Sequence, residues 1–410
     1  MNTSASGIRP VLPILIGASV LLTLAMGLRQ SLGIFMAPLT QDIGITVSQF
    51  TMAVAVQNLA WGLFQAPAGA WAVRVGFRPL MIGGAVLYVL GLGLLATANG
   101  MLNVVLGAGV AIGASMALAG NAITMAVSAR AVSPALRSTV LGIVSAAGSL
   151  GALISAPIGQ GLAQAFGWRA GIYGFVVLAL LMIPAALFAG RVDRIPLPAN
   201  ESRNDVKASA VAGAALRHAP FVVMSLAYFV CGMQLVFLTT HLPAYLTICG
   251  MDPMLSAQAL GVIGGFNILG SLFFGWAGGR WNKLALLGLI YTLRSCVLAW
   301  YFMSPPSPTS TLVFAALMGF LWLGVGPLVA GWIAETFGLR WQAMVGGLAF
   351  VVHQIGSTLG AFGGGIVYDM LGSYDMAWKF GVSLGLVAGL TQILFSMRDS
   401  PPPKLASVGA

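Results

Sequence analysis

Apolar positions run along this chain in twelve long, nearly uninterrupted stretches separated by short polar punctuation. A run of about 20 apolar residues is long enough to cross the hydrocarbon core of a bilayer as a helix. The pattern predicts helices over 12–37, 50–72, 79–98, 102–127, 138–165 and 169–190, and then over 221–246, 256–278, 284–303, 309–332, 342–368 and 377–397. One polar interruption is long. It runs from Arg191 to Pro220 and holds Pro196, Pro198, Asn200, Glu201, Ser202, Arg203 and Asn204, with a short surface helix expected near Ala208–Arg217. The predicted organisation is an N-terminal six-helix bundle at 1–190, a linker at 191–220 and a C-terminal six-helix bundle at 221–410.

Composition strengthens this picture. Charged residues make up 7% and hydrophobic residues 59% of the 410, against about 25% charged in an average soluble domain. Too few charges are present to cover a soluble surface, so the expected class is an all-α membrane protein. The three cysteines (Cys231, Cys249, Cys296) lie in or beside apolar runs without metal-ligand spacing and read as packing residues. No metal and no cofactor is expected.

The net charge of +10 does not indicate nucleic acid, because it is sorted by side. Among the 19 lysines and arginines, Arg29 and Arg294 fall inside apolar runs and Arg169 and Lys379 on one face; all others fall on the opposite face. Basic loops mark the cytoplasmic side, which puts the linker and both termini there, in a cytoplasmic membrane. The first apolar run is too long for a cleavable signal.

The two halves repeat. Gly27 and Pro38 recur as Gly232 and Pro243, Gly69 and Arg74 as Gly275 and Arg280, and Gly151 and Gly159 as Gly356 and Gly364, all 205 or 206 residues apart. With 54 glycines, single coincidences mean little; a near-constant offset in three regions points to two pseudo-symmetric halves. Parallel six-helix repeats are the arrangement of one large family of membrane carriers.

Motifs narrow that comparison. The loop Gly69-Ala70-Trp71-Ala72-Val73-Arg74-Val75-Gly76-Phe77-Arg78 resembles the G-x-x-x-D-R-x-G-R-R signature of the major facilitator superfamily, and Gly275-Trp276-Ala277-Gly278-Gly279-Arg280 resembles a weaker copy. The family's aspartate is Val73 here and Gly279 in the copy. Since that carboxylate helps hold the family's cytoplasmic gate, the resemblance leaves Arg74, Arg78 and Arg280 without their usual partner. Glu335, near Arg340, is the one nearby acid that suggests itself as a substitute. Gly148-Ser149-Leu150-Gly151 through Gly159 is similar to the family's Gly- and Pro-rich fifth helix, as a hinge or as simple close packing. Arg29-Gln30-Ser31-Leu32-Gly33-Ile34-Phe35, Thr240-His241-Leu242-Pro243-Ala244-Tyr245-Leu246 and His353-Gln354-Ile355-Gly356 resemble bacterial members of the monocarboxylate-transporter-like branch.

Against that frame the intramembrane polar residues acquire candidate roles. An arginine in a membrane helix costs roughly 2.5–3.5 kcal/mol on insertion scales, which makes a buried one a functional candidate by default. Arg29 offers a permanent charge and a fork matched to a carboxylate; the competing reading is a side chain snorkelling to the headgroups. Gln234 occupies the repeat-related position and is a candidate neutral partner. Asn58, Asn121, Gln354 and Tyr228 are further candidates for substrate contact, with Gln57 as cavity lining. His353 is the candidate proton-coupling group, or else a packed, hydrogen-bonded histidine. Arg294 is expected to be structural, pairing with backbone carbonyls or with a group such as Asn267. His241 either guards the outer opening or is an ordinary interfacial histidine.

The resemblance implies a secondary active transporter for a small organic anion, a monocarboxylate in the first instance. It would act as a monomer by alternating access, coupled to protons or working by exchange. The alternative in the same fold is efflux of an amphipathic or hydrophobic compound. A membrane-embedded enzyme or a sensor is remote, because no metal cluster, nucleophile elbow or phosphate loop appears.

Overall fold

A computed structural model describes residues 9–198, 201 and 206–398. We number the long helices α1 (Arg9–Ile43, with a tight 3-10 turn at Leu32–Phe35), α2 (Val47–Val75), α3 (Phe77–Ala96), α4 (Met101–Ala131), α5 (Pro134–Phe166) and α6 (Trp168–Arg194). After the linker come α7 (Ala219–Ile248), α8 (Pro253–Ala277), α9 (Lys283–Met303), α10 (Pro308–Phe337), α11 (Gln342–Leu371) and α12 (Asp375–Ser396). Eleven helical spans among the described residues are long and apolar enough to cross a membrane. The remaining long helix, α2, carries four side-chain amides: Gln49, Gln57, Asn58 and Gln65. The short helix at Ala208–Arg217 is present. Of the linker residues, 199, 200 and 202–205 lie outside the described part.

Short polar signals start the helices. Thr46 opens α2 with a capping box, its hydroxyl accepting from Gln49 N (3.2 Å) while Gln49 Oε1 accepts from Thr46 N (2.9 Å). Asn282 Oδ1 accepts from Leu284 N and Ala285 N at the start of α9. These caps take up first-turn N–H groups that the helix itself leaves unpaired.

The chain divides into two compact units. One comprises residues 1–204 together with Phe337–Gly347; the other comprises Asp205–Thr336 and residues 348–410. The grouping of Phe337–Gly347 with the first unit has a local cause. Gly347 backs onto the Ala66 backbone of α2, and Gly69 onto the backbone at Ala343 and Met344, closer than any Cβ would permit.

Within each unit the repeated glycines make one equivalent contact. Gly27 of α1 lies against the backbone of Gly151 of α5, and Gly151 in turn against Thr23 O. In the second unit Gly232 of α7 lies against His353 O, while Gly356 of α11 lies against Phe229 O. Further along the same pairs, Gly159 accommodates the Phe175 ring and Gly364 the His241 ring. In lipid, helices gain little from burying apolar surface and associate by close packing instead. The sequence offset of 205 is therefore visible as a repeated backbone-on-backbone contact.

A second shared feature is a broken helix in each unit. α4 is interrupted at Gly120, whose extended backbone (φ −87°, ψ −156°) lets a new piece begin at Asn121. α10 is interrupted between Phe320 and Val325. Irregular backbone at membrane depth requires partners for the N–H and C=O groups it releases.

Gly151→Leu is expected to push α1 and α5 apart and to destabilise the fold by about 1–3 kcal/mol or more. Gly161→Leu, at a glycine of the same helix with open space beside it, should melt like the native chain. Thermal unfolding in detergent, followed by size-exclusion, reads the difference.

Candidate functional site

Arg29 is half-buried on α1. Its terminal Nη2 donates to Asn58 Oδ1 of α2, and its guanidinium carbon stands 5.0 Å from the centre of the Trp61 ring. Asn58 and Trp61 are three residues apart and so share one face of α2. Trp61 Nε1 donates to Gln65 Oε1 (3.0 Å), and Gln65 Nε2 donates to Ala117 O of α4 (3.0 Å). The arginine is thus held by a neutral amide and by an indole ring that Gln65 fixes from behind. Its Nε is buried without a hydrogen-bond partner. Among the described residues no carboxylate pairs with Arg29; the ion pairs Arg169–Asp42 and Lys283–Glu335 lie elsewhere.

Other first-unit candidates fall elsewhere. Asn121 opens the second piece of α4, half-buried, and makes no hydrogen bond to the Arg29 group. Gln57, expected to line a cavity, is turned into the bundle: it is buried and donates to Ala108 O (2.6 Å). One helical step separates Gln57 from Asn58 and sends their side chains in different directions.

The second unit holds a separate cluster around His353. The Tyr228 ring of α7 lies 4.4 Å from the imidazole, and the Phe350 ring stacks on it at 5.5 Å. Ser357 donates its hydroxyl to His353 O (3.0 Å). Nδ1 therefore acts as donor, toward Gln354 Oε1 at 3.3 Å, and Nε2 keeps its lone pair. Tyr228, His353 and Gln354 stand together, with Ser357 one turn further along α11.

Three sequence expectations need correction or sharpening. Gln234, the candidate neutral partner for the substrate, has its amide taken up by its own unit: Nε2 donates to Ser295 Oγ of α9 (3.1 Å) and to Gly381 O of α12 (3.0 Å). The internal repeat predicted its position in sequence but not the face of α7 it occupies. Glu335 does not meet Arg340. It pairs with Lys283 at 2.7 Å, while Arg340 N donates to Glu201 Oε2 (2.9 Å) and Arg340 Nη1 to Glu201 O (3.3 Å). His241 is fully engaged, with Nε2 donating to Ala361 O (3.0 Å) and Nδ1 accepting from the Tyr374 hydroxyl (3.3 Å).

The linker supplies a second acid as well. Asp193 accepts from Phe77 N (2.9 Å) and Arg78 N (2.8 Å) at the start of α3. Gly76, at φ 88°, leaves room for that carboxylate, which a Cβ would meet at 2.8 Å. Arg74 and Arg78 are exposed and form no ion pair among the described residues; Arg280, also exposed, stacks on Trp276 at 4.2 Å.

Arg294 is completely buried on α9. It donates to Leu321 O (2.8 Å), at the break in α10, and to Cys231 Sγ (3.1 Å). Asn267 Oδ1 accepts from Leu323 N (3.1 Å) in the same break. Together they meet Leu321 O and Leu323 N, two of the groups that α10 releases there. No cluster of His, Cys, Asp and Glu able to hold a metal occurs among the described residues.

Comparison with known proteins agrees with this architecture. The Major Facilitator Superfamily model matches residues 18–361. The chain belongs to that superfamily. Monocarboxylate transporter 13 of Bos taurus is 26% identical over 358 residues, covering 87% of this chain and 82% of the relative. The hexuronate transporter of Bacillus subtilis is 25% identical over 381 residues, covering 85% and 79%. The Escherichia coli fucose:proton symporter FucP superposes with a TM-score of 0.73 at 16% identity, over 96% of this chain and 99% of that one. The chain is a multi-pass membrane transporter with the twelve-helix fold of its family.

Arg294→Met should leave Leu321 O without its buried donor, at about 1–3 kcal/mol for the orphaned group. The expected readout is a lower melting temperature in detergent, with Asn267→Leu lowering it through the same break.

Proposed function

We propose that this transporter carries a small organic anion, a monocarboxylate in the first instance, with Arg29 as the group that binds its carboxylate. The observation that carries the reading is an intramembrane guanidinium held by neutral partners, with one nitrogen unpartnered and no carboxylate paired to it. A permanent charge kept at that depth without a counter-ion invites an anionic ligand to complete it. The relatives support the class: one is named for monocarboxylates and another for hexuronate.

His353 is the proposed proton-coupling residue. With Nδ1 committed to Gln354, Nε2 is left with its lone pair as the atom that would take up and release a proton. FucP, which shares the fold, is named as a proton symporter. Transport proceeds in this reading by alternating access, in a cytoplasmic membrane with both termini inside, as the one-sided distribution of basic loops suggests.

Reconstituted vesicles loaded with buffer and given labelled lactate or pyruvate, with and without an inward proton gradient, test the proposal. Native protein should accumulate the acid. Arg29→Gln should reduce uptake at least about 100-fold, since a lost charge-assisted pair costs about 3 kcal/mol, while the protein still elutes as a folded species. Retained uptake would overturn the assignment. His353→Ala should leave counterflow exchange intact and flatten the pH dependence of net uptake; an unaltered pH profile would move the coupling elsewhere.

A further inference from the structure

A cavity of about 340 Å³ opens at one end of the second unit, and neither Arg29 nor His353 lines it. Its walls come from His218 just before α7, from the start of α9, and from the ends of α10 and α12. Two contacts tie these ends together. Asn282 Nδ2 donates to Ser396 O (3.3 Å), and the His218 ring stacks on Trp332 at 6.1 Å. The size lies within the range of small-molecule sites.

Charge gives this cavity its chemistry, for Lys283, Glu335 and Arg398 all line it. Lys283 Nζ donates to Glu335 Oε1 (2.7 Å), yet the lysine side chain is 10% exposed and the glutamate 49%. A half-solvated carboxylate is screened by water and offsets an enclosed ammonium only in part. It also takes one of three ammonium hydrogens. Arg398 stacks on the Phe395 ring at 4.8 Å and forms no ion pair among the described residues. Two cations thus face the cavity against one carboxylate.

An ammonium on α9 and a guanidinium on α12 approach an occupant from different helices. A carboxylate offers two oxygens in one plane, whereas a phosphate offers its oxygens tetrahedrally and can meet both cations at once. We propose that this cavity binds a phosphate ester, its phosphoryl oxygens accepting from Lys283 Nζ and the Arg398 guanidinium. A lipid headgroup and a soluble ester share that chemistry. The rim favours the lipid: Trp281 in the wall is 53% exposed, and Leu394 and Met397, neighbours of lining residues on α12, are 62% and 77% exposed. Indole rings at the ends of membrane helices sit at headgroup level, and basic pockets between such helices suit anionic lipids.

The test titrates the full chain in detergent with dioctanoylphosphatidylglycerol, dioctanoylglycerol and glycerol phosphate, counting bound copies by native mass spectrometry. Phosphatidylglycerol should bind at a saturable site at least about ten-fold tighter than the diacylglycerol with the same chains. Arg398→Gln and Lys283→Gln should each weaken it roughly ten-fold, through loss of one charge-assisted contact. Glu335→Gln should tighten it several-fold by releasing Lys283. Arg191→Gln removes a cation that does not line the cavity and should change nothing. Glycerol phosphate binding about ten-fold weaker than the lipid upholds the site and assigns it to the bilayer; equal binding upholds the site and assigns it to a soluble ester. Equal affinity for phosphatidylglycerol and diacylglycerol would overturn the proposal. So would an affinity indifferent to Arg398→Gln, or one that Arg191→Gln weakens as much, which would mark diffuse attraction to a basic surface. Arg398 and Glu335 are exposed, so their variants decide even if Lys283→Gln fails to fold.

Discussion

A cation inside a hydrocarbon slab must be answered by something, and this chain answers two arginines in opposite ways. Arg294 is enclosed: its terminal nitrogens reach the carbonyl that a broken α10 releases and the Cys231 sulfur, its Nε is buried without a partner, and nothing of it reaches the surface. Arg29 is held but not spent, by an amide, an indole face and no acid. What differs is that both terminal nitrogens of Arg294 donate inside a sealed interior, whereas Arg29 is half-buried and donates through Nη2 to a single amide. That difference separates a structural cation from a candidate ligand-binding one, and neither helix position nor hydropathy alone distinguishes them.

The large features were legible in the sequence because they rest on repeated, local requirements. Twelve apolar runs gave twelve long helices, and the glycine offset of 205 reappears as equivalent contacts at Gly27–Gly151 and Gly232–His353. A glycine needed for backbone contact cannot drift without cost, so it keeps its place in both halves. The sequence points to a structural Arg294 with Asn267 nearby, and both converge on the same break. That break itself was not legible; Pro327 and the glycines around it are common throughout the chain.

Azimuth around a helix was the recurring difficulty. Gln57 and Asn58 are neighbours, yet one anchors α2 to α4 and the other holds Arg29. Gln234 matches Arg29 by the repeat, but its amide is taken up by α9 and α12. Trp61 could have been found from its three-residue spacing to Asn58. In a soluble helix the polar face announces itself; a helix apolar all round gives no such bearing.

The acids contradicted the simplest sequence argument, which sought a substitute for the missing aspartate in the nearest loop. Carboxylates instead arrive from the segment joining the halves: Asp193 at the start of α3, and Glu201 before α11. A joining segment that seats its own side chains on two helix beginnings is more than a tether. Two of its acids are seated at fixed points, so an insertion between Asp193 and Glu201 would have to be absorbed without displacing either contact.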